Sequence, residues 1–208
     1  MNPSMPNCQI YRPTLILIAI NIAVYFLTSV AGGSFLNTSY DLIYKYGLVG
    51  EKVIYEGEYY RLLTSLFVHA NVAHIAGNMI FLLIFGLRGE EMFSLPEYLA
   101  IYFLGGMTGN LLSLVLLNPL IPSVGASGAI FAVFGACTVY IRRTIRQSII
   151  GALIYAFFLI LIGSAPGVNN LAHIGGLVTG LIIGYVLAAR RKPAAAYSMT
   201  YGYQRFPF

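Results

Sequence analysis

PSVGASGAIFAVFGA, residues 122–136, is the stretch on which the reading of this chain turns. It opens with Pro122 and Gly125, which discourage helix, and continues after Ser127 as an apolar run of mostly small residues. The charge-free run from Ser127 to Ile141 holds about 15 residues, fewer than the roughly 17–25 that a membrane-spanning helix needs. The missing length has to come from the preceding segment, NPLIPSVGA at 118–126. Non-helical backbone at membrane depth is tolerated only where it is buried in protein or lines a water-filled cavity. Ser127 is therefore expected to open a helix below the membrane surface, beside water.

The rest of the chain explains why a bilayer is the yardstick. Of its 208 residues 58% are hydrophobic and only 9% are charged, against about 25% charged in a soluble domain. A water-soluble core cannot absorb that much apolar surface. Six apolar runs can be counted, at about 13–31, 70–87, 98–117, 127–141, 148–165 and 171–189. The expected fold class is an all-α membrane protein, a six-helix bundle whose short fourth helix starts at mid-depth. The formal charge of +5 lies in short clusters beside these runs, which marks topology rather than nucleic-acid binding. With the N-terminus inside, the inner segments carry nine basic residues: Arg12, Arg88, Arg142, Arg143, Arg146, Arg190, Arg191, Lys192 and Arg205. The outer loops carry three, Lys45, Lys52 and Arg61. Both termini are thus expected in the cytoplasm, with the Ser127 end of the fourth run facing outward. Reading TSVAGGS (28–34) as a signal-peptide cleavage site would leave five spans and put the C-terminus outside, against this count. Residues 1–189 read as one domain. Its first outer loop, 32–69, is rich in tyrosines, which suit either interfacial anchoring or a partly inserted loop controlling access to a site. Residues 190–208 read as a basic, disordered cytoplasmic tail. Cys8 and Cys137 fit neither a disulfide nor a zinc spacing.

Polar groups inside a bilayer are costly, so each needs a reason. Ser127, His173, the pair His74 and Asn78, and His69 stand out, and they include all three histidines of the chain. His173, in NNLAHIGGLVTGLIIGYVLAA (169–189), lies near the outward end of the sixth run, as Ser127 does in the fourth. On a helical wheel Gly180 falls about −20° from His173, Gly184 about +20° and Gly176 about −60°. Glycine at every fourth position lets two helix backbones come close. The fourth run offers a matching stripe at Gly128, Ala132 and Gly135. If the stripes pack, Ser127 and His173 can meet at their outer ends. Glycines alone read as simple helix packing, but packing does not call for a histidine on the same seam. A serine hydroxyl is a weak nucleophile that needs a base within hydrogen-bond reach, and imidazole suits that role. The seven acids, Asp41, Glu51, Glu56, Glu58, Glu90, Glu91 and Glu97, all read as loop or span-edge residues. An enzyme built here would be a Ser–His dyad. The lack of HExxH and of an intramembrane acid argues against a metalloprotease or an aspartyl protease. His74 and Asn78 are four apart and share a helix face that Phe81 and Phe85 continue inward. They fit two roles: N–H donors to a developing oxyanion, or hydrogen-bonded glue between helices. The backbone N–H of Ser127, at a helix N-terminus, is a further donor. His69 lies about 140° from His74 on the wheel and reads as structural or loop-anchoring.

Taken together, HANVAHIAGN (69–78), GASG (125–128) and AHIGGLVTG (172–180) resemble, in order and spacing, the rhomboid family of intramembrane serine proteases. The resemblance covers roughly residues 57–189, and the first run fits in topology only. It implies that Ser127, set between Gly125 and Gly128, is the nucleophile and that His173 is the base. It further implies that His74 and Asn78 help bind the oxyanion, and that His69 is supportive. YYRLL (59–63) resembles a Trp-Arg pair of the family's first outer loop, with Tyr60 in place of the tryptophan before Arg61. Phe131 matches an aromatic position that packs on the base histidine, without the hydroxyl of a tyrosine. Gly176 and Gly180 would support the seam. The family cleaves transmembrane substrates near their outer ends, in a cell membrane, with no metal or cofactor; one chain is expected to suffice. Two other readings stand beside it. A non-proteolytic relative acting as a binding module usually lacks the serine or the histidine, and a small channel or transporter leaves Ser127 inside GxSG unexplained.

Overall fold

The computed structural model describes residues 12–144 and 168–191; the fifth apolar run, Cys8 and the tail beyond Arg191 lie outside the described residues. Helix α1 runs Pro13–Ala31, with proline in the first turn, where its missing N–H costs nothing. The helices α2 (Tyr40–Tyr46), α3 (Gly50–Glu56) and α4 (Arg61–Thr64) follow in the first loop. The longer helices are α5 (Val72–Met92), α6 (Leu95–Leu116), α7 (Ser127–Thr144) and α8 (Asn170–Arg190). Among the described residues the fold is all-helical, with two isolated bridges, Asn37 to Asn71 and Leu48 to Ser123. Helices α1, α5, α6 and α8 are long and apolar enough to cross a membrane. The apolar part of α7, Ser127–Arg142, is shorter. The chain is a multi-pass membrane protein, and its side chains are arranged accordingly. On α1 the apolar Ile16, Phe26 and Leu27 are exposed, while Thr14, Asn21, Thr28 and Ser29 are buried. Each of these side chains has a partner: Thr14 Oγ1 meets Tyr98 Oη at 2.9 Å, Asn21 Nδ2 donates to Leu17 O, and Thr28 and Ser29 donate to the carbonyls of Val24 and Tyr25.

The centre of the molecule is a three-helix contact built from small residues. A Cβ on Gly176, Gly180 or Gly184 of α8 would run into the backbone of Gly128, Ala132 or Ala136 of α7, respectively. The pairing advances by four on both helices, so α7 and α8 run parallel, backbone against backbone. This extends the expected stripe by one residue. Gly135 lies against the backbone of Leu177 and Leu181 of α8 as expected, and Ala136, opposite Gly184, is the added member. Helix α6 packs antiparallel against both, with Gly105 on Ala132, Gly109 on Ala172, and the hydroxyls of Thr108 and Thr179 2.7 Å apart.

The segment between α1 and α5 is held by a buried cation. Arg61 is 4% exposed and donates to the carbonyls of Tyr44 and Gly47 and to the carboxylate of Glu58. That guanidinium holds the Glu58 carboxyl below the ordinary carboxylate range. Tyr40, Tyr55, Tyr59 and Tyr60 are exposed around it. Segment 117–126 is non-helical. It is stitched in by Leu48 N to Ser123 O and Ser123 N to Leu48 O, both 2.9 Å, and by Gly125 N to Ser65 O.

Candidate active site

The local chain dictates where each polar group of this site stands. Gly125 has φ +124°, a conformation side chains rarely adopt. Two residues later Ser127 opens α7, so its N–H is among the first-turn donors without an intrahelical partner. The seam of small residues brings the first turn of α8 alongside. Nε2 of His173 lies 2.8 Å from Oγ of Ser127. The ring of Phe131 stacks on the imidazole at a centroid distance of 4.6 Å and 24° between planes. His173 Nδ1 is buried with no hydrogen-bond partner, so no acidic third member orients it among the described residues.

Ser127, Phe131 and His173 line a cavity of about 320 Å³ together with His74, Gly77 and Asn78 of α5. Its deeper wall is apolar: Phe81 stacks on Phe85, and Phe85 leans on Phe134 at 4.9 Å. On the other side of Ser127 a second cavity of about 780 Å³ is more polar, lined by Asn71, Asn110, Ser123, Asn169 and Asn170. The lead-in to Ser127 forms part of its wall.

The His74 ring lies over Gly125, where a Cβ would stand 2.8 Å from Nε2. One N–H of Asn78 donates to His74 O at 3.0 Å, which leaves its second N–H for the cavity. His69 is fully buried, and its carbonyl accepts from Thr38 Oγ1 at 2.7 Å, tying the α1–α2 connection to the entry of α5. The wheel separation of His69 from His74 does not apply, because α5 begins only at Val72, held by Asn71 accepting from His74 N. The two rings meet edge to face, 5.1 Å apart. Arg61 stands away from the cavity, in the loop it organises. No cluster of three or more His, Cys, Asp or Glu able to hold a metal is present among the described residues.

Sequence reading missed Ser65, which receives Gly125 N, and Asn110, which donates to Leu62 O and Ser65 Oγ. Their partners lie 45 or more positions away, so no local pattern announces them.

The pattern described as "Rhomboid domain" matches residues 56–190. Among relatives, "RHOMBOID-like protein 6, mitochondrial" of Arabidopsis thaliana is 38% identical over 74% of this chain and 52% of its own length. "Rhomboid protease GluP" of Bacillus subtilis is 35% identical over 88% of this chain and 35% of its own. "Rhomboid-like protease 2" of Toxoplasma gondii is 30% identical over 86% and 66%, respectively. The chain thus spans between about a third and two thirds of the length of these relatives.

Proposed function

The chain belongs to the rhomboid family, and from that premise we propose that it is an intramembrane serine endopeptidase working through a Ser127–His173 dyad. The 2.8 Å contact between Ser127 Oγ and His173 Nε2 carries this reading. Oγ attacks the scissile carbonyl while its proton passes to Nε2. The oxyanion is met by the backbone N–H of Ser127, the free N–H of Asn78 and an N–H of His74. His173 then returns the proton to the leaving amine, and water from the polar cavity hydrolyses the acyl-enzyme. Phe131 keeps the imidazole in plane, in place of an acidic partner. Neither metal nor cofactor takes part, and one chain supplies every group.

The substrates are membrane proteins whose spanning helices are cut near their extracytoplasmic ends. The topology that fits the basic residues has six spans in a domain of residues 1–189, both termini in the cytoplasm, and the cavity opening outward. A peptide locked in helical hydrogen bonds cannot enter the site. Helix-breaking residues near the cleavage point lower the cost of unwinding.

Detergent-purified protein is expected to label at Ser127 with a fluorophosphonate and to cut a reporter transmembrane substrate. Ser127→Ala and His173→Ala should each abolish cutting while leaving the protein folded, and the double variant should be no worse. Near-wild-type cutting by Ser127→Ala would overturn the assignment. A wild-type protein that neither labels nor cuts would favour a non-proteolytic binding module.

A further inference from the structure

Two helix starts meet at the site, and one side chain joins them. Asn169 stands four residues before His173, and Ser123 stands four residues before Ser127. Asn169 Nδ2 donates to Ser123 Oγ at 2.8 Å and to Ser113 Oγ, in the last turn of α6, also at 2.8 Å. Its Oδ1 accepts from Ala172 N at 3.1 Å and so caps α8. A single amide therefore uses both donors and its acceptor on three segments: the base helix, the lead-in to the nucleophile and the end of α6. Ser123 is itself fixed by its paired backbone bonds with Leu48, and Ser113 donates to Gly109 O. The tie has firm ground on either side.

Resting on the dyad reading above, we infer that Asn169 is a positioning residue, which through Ser123 sets the separation of His173 from Ser127. The small-residue seam fixes how close α7 and α8 lie. Its outermost contact is Ala172, which lies against Gly128 of α7 and Gly109 of α6, and the start of α8 at 169–171 lies beyond it. The amide restrains that start. A cap alone would need only an oxygen acceptor, and serine supplies one. The two N–H groups are what asparagine adds.

The test separates the tie from the cap. Asn169→Ser keeps a capping oxygen but is too short to reach Ser123, and Ser123→Ala removes the acceptor while leaving the cap intact. The readout is the rate of fluorophosphonate labelling at Ser127, which needs no peptide substrate, followed beside the melting temperature. Both variants should label at least about tenfold more slowly, since a displacement of roughly 1 Å at a reacting centre can cost a hundredfold. Their melting temperatures should stay near wild type, and with a peptide substrate kcat should fall at unchanged KM. Ser123→Thr, which keeps the hydroxyl, should restore the rate, and Asn169→Ser with Ser123→Ala should be no slower than either alone. Wild-type labelling rates in both single variants overturn the inference, as does a loss that Ser123→Thr fails to restore. Absence of labelling in the wild-type protein overturns the dyad reading itself, so the two failures are distinguishable.

Discussion

At the scale of single residues, the site depends on atoms that are missing as much as on those present. Gly125 takes a backbone conformation that L side chains avoid, and the space where its Cβ would go holds the His74 ring. Gly125→Ala would both strain the turn and displace the imidazole. On the proposed mechanism it should lower kcat by roughly ten- to a hundredfold, through lost oxyanion donation and a shifted Ser127. Steady-state kinetics against a reporter substrate checks this; a rise in KM at constant kcat would assign His74 to substrate positioning instead. Asn78→Ala should behave similarly but stop short of full inactivity, because the N–H of Ser127 remains. The donor reading of Asn78 fails if that variant turns over at the wild-type rate.

At the scale of elements, the parallel seam between α7 and α8 governs. Gly180→Val would drive its branched side chain into the Ala132 backbone. Overpacking of this kind typically costs about 1–3 kcal/mol, and the helices that carry Ser127 and His173 would part. Thermal unfolding in detergent should show the loss. Gly77→Ala on α5, where nothing lies within 4 Å of an added Cβ, is the comparison and should be neutral or stabilising by up to about 1 kcal/mol. Equal melting temperatures for the two would dismiss the seam. Much of this level was legible from residue order. The first run coincides with α1, the sixth falls within one residue of α8 at each end, and the helix start at Ser127 follows from Gly125 and the shortness of the run. Other parts were hidden for physical reasons. The helices of seven and four residues between α1 and α5 span too few turns to display a period. Ala136 reads like any other alanine until its opposite number is known. Asn169 looks like an ordinary cap, because Ser113 and Ser123 reach it only through tertiary packing.

At the scale of the whole molecule, the segment between α1 and α5 is coupled to the bundle through Arg61, Leu48 and Ser65, so loss of its order should be felt at the Ser127 lead-in. The Glu58 carboxyl, with its folded pKa lowered first by its bond to Arg61, supplies the sign. Its contribution to stability is present above the unfolded carboxylate value and is lost as pH falls through the folded one. Melting temperature should therefore drop on acidification, and Glu58→Gln should flatten that part of the slope; an unchanged acid slope would remove the pair from the account. The order of the parts along the chain also has a consequence in time. Ser127 precedes His173 by 46 positions, and elongation at about 5–20 residues per second separates the two by several seconds. During that interval the nascent chain already carries the proposed nucleophile, while the helix that would activate it has yet to be made. On the proposed mechanism, a hydrolase assembled in this order is inert throughout its own insertion, among all the other newly made membrane helices, and acquires reactivity only when α8 docks.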